Sequence, residues 1–91
     1  MRIIPSKKFE RAYKKYTRFS AEQKELIQNT IKSLSTDPFT NQLKTHKLSG
    51  KLKGLYACSC GYDCRIVFSL DEIDGEQVII LIDIGSHEKI Y

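Results

Sequence analysis

The apolar residues at the start of the chain follow two different periods. Residues 2–5 form a short β-prone run that Pro5 ends, because proline cannot continue a ladder of backbone hydrogen bonds. From Ser6 onward the apolar residues recur every three or four positions, which is typical of a helix with one buried face. We predict a strand over residues 2–5 and a helix from the Ser6 cap to about Tyr16. The apolar stripe of this helix is Phe9, Ala12, Tyr13 and Tyr16.

A second helical pattern begins at Ser20. Ser20 with Gln23 three residues later is a capping-box signal, and Asp37 and Pro38 follow the last apolar position. We predict a helix to about Leu34. Its core stripe is Leu26, Ile27, Thr30, Ile31 and Leu34. Because only a short turn separates the two helices, they are expected to form an antiparallel hairpin.

The second half of the chain is typical of strands. The β-prone runs are residues 55–60, 62–70 and 77–84. Gly61 lies at or near the first turn, and an Asp-Gly pair marks the second turn, over residues 71–76. The nearly continuous apolar run 78–82 favours a strand in the interior of a sheet rather than at its edge.

A long, basic and polar connection over residues 36–53 joins the helices to these strands. Connections of this length in a small domain are usually functional or disordered. The element order β-α-α-β-β-β predicts an α+β fold, with an N-terminal strand and a helix hairpin packed on a mostly antiparallel four-stranded sheet. The 91 residues are expected to form a single domain over residues 1–91.

Composition and charge narrow the class of partner. With 41% apolar and 29% charged residues, the chain is of the globular rather than the disordered kind. Residues 1–53 carry 13 Lys and Arg against 4 Asp and Glu, whereas residues 54–91 carry 2 against 7. Clustered lysines favour a polyanion partner, because they release counterions from phosphates; the alternative is a solvated helix face. The sequence shows no export signal and no membrane-spanning stretch, so a cytoplasmic protein without a membrane partner is expected.

The three cysteines, Cys58, Cys60 and Cys64, are too few for a disulfide framework. In a reducing compartment we expect free, mostly buried thiols. A zinc site is poorly supported, since the cluster lacks a Cys-x-x-Cys pair and would need a distant fourth ligand.

Several polar residues are candidates for chemistry. The two histidines, His46 and His87, lie outside the apolar stripes and could form an acid–base pair, or they could be surface residues without a role. Asp63 and Arg65 would share a face on a regular strand, either as an exposed ion pair or as a carboxylate beside a phosphate-binding arginine. The lysines of the basic connection, Lys47, Lys51 and Lys53, are placed to meet a phosphate.

Two segments carry a resemblance to a known family. Residues 45–68 (THKLSGKLKGLYACSCGYDCRIVF) and 82–91 (IDIGSHEKIY) resemble the RelE/ParE superfamily of bacterial toxins, and within it the YafQ-like branch of mRNA interferases. The resemblance implies a toxin that enters the A site of the 70S ribosome and cuts mRNA without a metal or other cofactor. It also implies a cognate antitoxin as partner, in a hetero-oligomer.

The resemblance implies roles for individual residues. His46, Asp63, His87 and Tyr91 match the family's active-site positions, and Arg65 matches a phosphate-binding arginine. His46 and Asp63 would handle the proton of the ribose 2′-OH, and His87 would protonate the leaving 5′-oxygen. The transition state would be stabilised by Arg65 and Lys53, with Lys47 and Lys51 on the RNA backbone, while Tyr91 positions a base.

One position departs from the family pattern. YafQ-like enzymes carry a further histidine where this chain has Ser59, and serine cannot carry protons as imidazole does at neutral pH. Two other functions therefore remain open: a ParE-like toxin that acts on DNA gyrase, and a non-catalytic module that only pairs with an antitoxin or represses transcription with it. The histidines and Tyr91 argue against the first, whereas Ser59 keeps the second open.

Overall fold

A computed structural model describes the whole of residues 1–91 and shows the predicted α+β class. The strands are β1 (Arg2–Pro5), β2 (His46–Lys47), β3 (Tyr56–Ser59), β4 (Arg65–Ile73) and β5 (Glu76–Gly85). The helices are α1 (Lys7–Thr17), α2 (Ala21–Thr36) and α3 (His87–Ile90), with single 3-10 turns at Asn41–Leu43 and Gly50–Leu52. No helix is both long and apolar enough to cross a membrane.

Serine caps set the start of both long helices, as predicted. The Ser6 Oγ accepts a hydrogen bond from the backbone N–H of Phe9 at 3.0 Å, and the Ser20 Oγ accepts one from Gln23 at 3.0 Å. The side chains that reach the core include Phe9, Ile27 and Leu34. Leu26, which was expected in the core stripe, is instead 44% exposed.

The sheet has five strands in the order β1-β5-β4-β3-β2, one more than predicted. The additional strand is β2, a pair of residues inside the basic connection. It pairs antiparallel with β3, with His46 opposite Ala57. The strand was not predicted because two exposed polar residues are too few to show an alternating pattern. Only β1 pairs parallel, against β5, so the sheet is mixed. The run 78–82 lies in the interior strand β5, as predicted.

The β4–β5 hairpin is tighter than predicted. β4 continues to Ile73 and β5 starts at Glu76, which leaves Asp74 and Gly75 as the turn. Both have positive φ, 52° and 79°, as a two-residue type I′ hairpin requires. The charged residues assigned to a loop therefore belong to the exposed ends of two paired strands.

The helices cover one face of the sheet, and the residues of interest lie on the other. The core cluster joins Phe9, Ile27 and Leu34 of the helices to Cys58, Ile66 and Phe68 of the sheet. Because strand side chains alternate between faces and paired residues share a face, the pairs His46–Ala57 and Ser59–Arg65 point the opposite way. His46, Ser59 and Arg65 therefore point away from the core cluster. Ser59 and Arg65 stand at the ends of β3 and β4, where a cleft also reaches α2.

The β3–β4 connection corrects the expectation of three free thiols. Cys60 and Cys64 form a disulfide across the turn, with Cα atoms 4.9 Å apart, and the Cys60 N–H donates to the Cys64 carbonyl at 2.9 Å. Only Cys58 is free, and it is buried as predicted. The spacing of four residues brings two cysteines together only in a tight turn, and the sequence had assigned 62–64 to a strand.

Candidate active site

The segment after β5 forms the short helix α3. Its cap is Ser86, whose Oγ accepts a hydrogen bond from the Lys89 N–H at 3.3 Å, and Ile90 is buried against the sheet. Residues four apart share a face of a helical turn. The rings of His87 and Tyr91 accordingly lie 4.6 Å apart between centroids. The two side chains that the sequence singled out thus form one group.

Gly85 allows α3 to fold back onto the end of β5. A Cβ at this position would lie 3.3 Å from the Cβ of Lys89 and only 2.5 Å from its Cδ. Lys89 Nζ donates to the Ile84 carbonyl at 3.1 Å and pairs with Asp83 at 3.3 Å. A glycine is required before Ser86 because the Lys89 side chain packs where a Cβ would lie.

Tyr91 reaches across to His46 in β2. Its hydroxyl lies 2.7 Å from His46 Nε2, and the two rings stack with centroids 5.6 Å apart. The other ring nitrogen, Nδ1, is 3.1 Å from the Lys44 carbonyl, which can only accept. A neutral His46 therefore carries its proton on Nδ1 and accepts the Tyr91 O–H at Nε2. This arrangement fixes both the tautomer and the orientation of the ring.

Asp63 is tied to α3 through the main chain. Its Oδ1 accepts a hydrogen bond from the backbone N–H of His87 at 3.0 Å, and its backbone carbonyl accepts the Tyr16 hydroxyl at 2.9 Å. The carboxylate remains exposed, with Oδ2 free of protein partners. Asp63, His87, Tyr91 and His46 are thus linked in that order by direct contacts, as the sequence had grouped them.

Asp63 and Arg65 do not share a strand face, contrary to prediction. Asp63 lies in the turn closed by the disulfide, whereas Arg65 is the first residue of β4. No ion pair joins them. Instead Arg65 Nη1 donates to the carbonyls of Cys64 at 2.8 Å and Gly61 at 3.3 Å. These bonds use one of three guanidinium nitrogens, so the half-buried Arg65 keeps donors for an anion.

Two tyrosines near this group keep their protons to higher pH than usual. Burial raises the pKa of Tyr91, although the positive charge and hydrogen bonding of Arg65 oppose the shift. Burial also raises the pKa of Tyr16, helped by the negative charge of Asp63 and opposed by Arg65. Both hydroxyls are therefore protonated at neutral pH, and Tyr91 can donate to His46.

The predicted lysines divide between two neighbouring hollows. Lys47 and Lys51 line a cavity of about 620 Å³ together with His46 and Tyr91. Lys53 lies outside it, beside a smaller hollow of about 330 Å³ that it shares with Lys47. All three side chains are exposed. The structure thus brings Lys47 and Lys51 to the histidine–tyrosine group and leaves Lys53 further away.

Ser59 occupies the sheet position next to Arg65. Its backbone pairs with that of Arg65, and its Oγ donates to the Gly61 carbonyl at 3.1 Å. The neighbouring Cys58 is no nucleophile, because burial raises the pKa of its thiol to about 12. With Cys60 and Cys64 joined in a disulfide, neither can ligate zinc as a thiolate. No three His, Cys, Asp or Glu side chains converge closely enough to hold a metal ion.

Sequence reasoning missed two residues that support the site. Tyr16 was assigned to the apolar stripe of α1, yet its hydroxyl holds the backbone of Asp63. Lys44 ends a 3-10 turn in a left-handed conformation, with φ of 51°, and its carbonyl orients His46. The only sequence signal for Tyr16 was a tyrosine at the end of an apolar stripe. Lys44 acts through its backbone carbonyl, so its residue type gives no signal.

Comparison with known proteins identifies relatives over the whole chain. A family model described as the bacterial toxin of type II toxin–antitoxin systems, YafQ, matches residues 1–91. The structure is similar to that of YafQ from E. coli, with a TM-score of 0.79 and 16% identity, covering 100% of this chain and 99% of that chain. No curated protein sequence matches the chain.

Two further structures share the fold. The YoeB/ParE toxin from Agrobacterium tumefaciens has a TM-score of 0.79 and 22% identity, covering 96% of this chain and 99% of that chain. A chain of the heterotetrameric YoeB-YefM toxin-antitoxin complex from Staphylococcus aureus has a TM-score of 0.73 and 22% identity, covering 96% and 97%.

Proposed function

This chain belongs to the YafQ family of bacterial toxins of type II toxin–antitoxin systems, and we propose that it cuts translated mRNA in the A site of the 70S ribosome. Toxins of this family are ribonucleases. The observation that carries the proposal is the contact chain from Asp63 through His87 and Tyr91 to His46, beside the guanidinium of Arg65. This group combines proton carriers with a cation, which is what RNA cleavage by its own ribose requires.

The proposed reaction needs no water in its first step. A base removes the proton of the 2′-OH, the 2′-oxygen forms a bond to the adjacent phosphorus, and the bond from phosphorus to the 5′-oxygen breaks. An acid then protonates the leaving 5′-oxygen. The products are a 2′,3′-cyclic phosphate and a free 5′-OH, so atoms and charge balance without a second reactant.

Two imidazoles supply the proton transfers in this proposal. His46, with Nδ1–H held by the Lys44 carbonyl, presents Nε2 as an acceptor and serves as base together with Asp63. His87 lies exposed on the other side of Tyr91 and acts as the acid. Tyr91 lies between the two rings, where its hydroxyl holds Nε2 of His46 until substrate takes its place and its ring positions a base.

Arg65 stabilises the charge that develops on the phosphorane. Its guanidinium is fixed by two main-chain carbonyls, and donors held in place before reaction cost no reorganisation in the transition state. Lys47 and Lys51 contact the RNA backbone beside the histidine–tyrosine group, and Lys53 contributes at a greater distance. With base, acid and cations supplied by the chain, we propose that neither a metal nor another cofactor takes part.

We also propose that a cognate antitoxin holds the toxin inactive in the cytoplasm, as part of a hetero-oligomer. A relative with the same fold was crystallised as a toxin-antitoxin complex. The excess of lysine and arginine in residues 1–53 suits an acidic partner protein. A short acidic protein encoded by the adjacent reading frame would support this part of the proposal.

The test is cleavage of a reporter mRNA in a translating extract, mapped by primer extension. Purified toxin should produce cuts phased with codons, and His87→Ala should abolish them. Glu88→Gln is the matched control, since Glu88 is the next residue of the same helix and is exposed. Phenanthroline, which removes transition metals but leaves the magnesium of the ribosome, should not reduce cutting.

Three other results would contradict the proposal. Intact mRNA with normal translation would indicate the non-catalytic module, the alternative that the serine at position 59 left open. Cuts on naked RNA alone would indicate a nuclease that acts without the ribosome. Inhibition of DNA supercoiling by gyrase, with mRNA intact, would indicate the ParE-like function.

A further inference from the structure

A second cleft lies beside the candidate active site and shares Lys44 and Arg65 with it. It has a volume of about 530 Å³ and opens between α2 and the disulfide-closed turn at residues 60–64. Its polar lining is Asn29, Thr30, Ser33, Gln42, Lys44, Ser59, Tyr62 and Arg65. No Asp or Glu lines it. Arg65 lines this cleft and also lies close to Tyr91, so an occupant of the cleft lies beside the residue that is proposed to bind the reacting phosphate.

Tyr62 is the most exposed of the large hydrophobic residues. Its side chain lies wholly in solvent, at 102% relative exposure, at the tip of the turn. An aromatic ring that is exposed without partners costs free energy unless something stacks on it, and large exposed apolar groups often mark binding sites. Tyr62 is also the immediate neighbour of Asp63, whose carboxylate holds α3.

The turn that carries Tyr62 is held from several directions. The Cys60–Cys64 disulfide closes it, and the Cys60 N–H donates to the Cys64 carbonyl at 2.9 Å. The Gly61 carbonyl accepts from Ser59 and from Arg65, at 3.1 Å and 3.3 Å. A ring carried on a fixed backbone binds with a smaller loss of conformational entropy than one on a mobile loop.

From this arrangement we propose that the cleft binds one nucleotide of the single-stranded mRNA beside the scissile phosphate, with its base stacked on Tyr62. Base–aromatic stacking is the common means by which proteins hold unpaired nucleotides. Lys44 and Arg65 lie where they contact the phosphates, and the amides of Asn29 and Gln42 are donors and acceptors for the edge of the base. This inference rests on the proposed function and adds a site that positions the substrate.

The chemistry of the lining favours RNA over a protein partner. Two cations in a lining that contains no carboxylate favour a phosphate, and an aromatic platform with two amides suits a flat heterocycle. An antitoxin segment would have to bury the same cations against acidic side chains. The two occupants give different results, because only the nucleotide changes which bases flank the cuts.

The experiment measures cleavage of programmed ribosome complexes and sequences the cut ends over a randomised A-site codon. Tyr62→Ala should lower kcat/KM roughly tenfold, the loss expected for one base–aromatic stack. It should also flatten the base preference at one neighbour of the cut. Tyr62→Phe should restore both, because the ring remains. Asn29→Ala combined with Gln42→Ala should change the base preference more than the rate.

Phe19→Ala is the matched control. Phe19 is also a nearly fully exposed aromatic residue, at 91%, in the turn between α1 and α2, but it lines none of the cavities described here. The Phe19→Ala variant should cleave mRNA at the wild-type rate and with the wild-type base preference. The inference would be overturned if Tyr62→Ala cut as fast as the wild type with an unchanged base preference. It would also be overturned if Tyr62→Ala cut normally but no longer bound the antitoxin.

Failure of the proposed cleavage and failure of nucleotide binding in the cleft give different results. If the wild-type protein cuts no ribosome-bound mRNA, the proposed function has failed. The cleft is then tested alone, with a short single-stranded RNA that carries 2-aminopurine and lacks the reactive 2′-OH. Quenching of 2-aminopurine that requires the aromatic ring at Tyr62 would support the cleft, and equal quenching by Tyr62→Ala would contradict it.

Discussion

The Tyr91 hydroxyl and the Nε2 atom of His46 lie 2.7 Å apart, although the residues are 45 positions apart in sequence. The contact joins a two-residue strand within a polar connection to the residue that follows the helix α3. Neither residue is therefore independent of the other, and the proton position on His46 depends on both Tyr91 and the Lys44 carbonyl.

The first prediction concerns this pair. His46→Ala should lower the single-turnover cleavage rate roughly 100-fold or more, the usual contribution of a positioned acid or base. Tyr91→Phe should lower it less, because the ring remains while the hydrogen bond to Nε2 is lost. The double variant should be less impaired than the product of the two single effects, since the residues act as a unit. Strictly multiplicative effects would mean that the contact has no part in cleavage.

The second prediction separates the charge of Asp63 from its structural hydrogen bond. Asp63→Asn keeps an oxygen that can accept from the His87 N–H, whereas Asp63→Ala removes it. By analogy with helix caps, the alanine variant should lose about 1 kcal/mol of unfolding free energy, and the asparagine variant little. Cleavage should fall in both, because neither carries the carboxylate. Full activity of Asp63→Asn, with unchanged urea unfolding, would reduce Asp63 to a positioning residue.

The helices and the interior strand could be predicted because local chemistry determines them. Ser6 and Ser20 cap helices through bonds to residues three positions away, and the run 78–82 needs burial on both faces. The His46–Lys47 strand could not be predicted, since it has no pattern of its own and its pairing depends on Ala57 and Tyr56 of β3.

The closeness of the four candidate residues could be predicted, whereas the geometry of their contacts could not. His46, Asp63, His87 and Tyr91 are linked as the resemblance implied, but the links run through backbone groups and ring contacts that residue types do not encode. The disulfide escaped prediction for a related reason. It exists because the turn brings Cys60 and Cys64 together, and a strand placed over the same residues would have kept them apart.

The third prediction concerns alkaline stability. Burial raises the pKa of Cys58 to about 12, above the ordinary thiol value of about 8.5. Because the folded state holds its proton more tightly, this contribution to stability is full below the ordinary value and is lost as the pH rises toward 12. Urea unfolding free energies should therefore fall between pH 8 and about pH 10 more steeply in the wild type than in Cys58→Ala. Equal slopes would contradict a buried thiol.

Alkylation gives a second measure of the same burial. At mildly alkaline pH, iodoacetamide should leave Cys58 unmodified in the folded protein and modify it in urea. Modification at equal rates in both states would show that the thiol is accessible. The reaction is carried out without reductant, so that Cys60 and Cys64 remain paired.

The fourth prediction concerns the disulfide. A bond that closes so short a loop is expected to contribute roughly 2 kcal/mol through the unfolded chain. The Cys60→Ser/Cys64→Ser variant should lose about that much in urea unfolding. It should also lose cleavage, because Asp63 and Tyr62 are held by the same turn. Under non-reducing conditions, a thiol titration of the unfolded wild type should find the single free thiol of Cys58; a titration of all the cysteines would refute the disulfide.

The parallel pairing of β1 with β5 determines when the sheet can form during synthesis. Residues 2–5 are synthesised well before their partners, residues 78–81. His87 and Tyr91 follow later still. A nascent chain therefore holds β1 without its neighbour, and the contact of Tyr91 with His46 cannot yet form. The sheet and this contact are completed only after the ribosome has translated every codon of the segment described here.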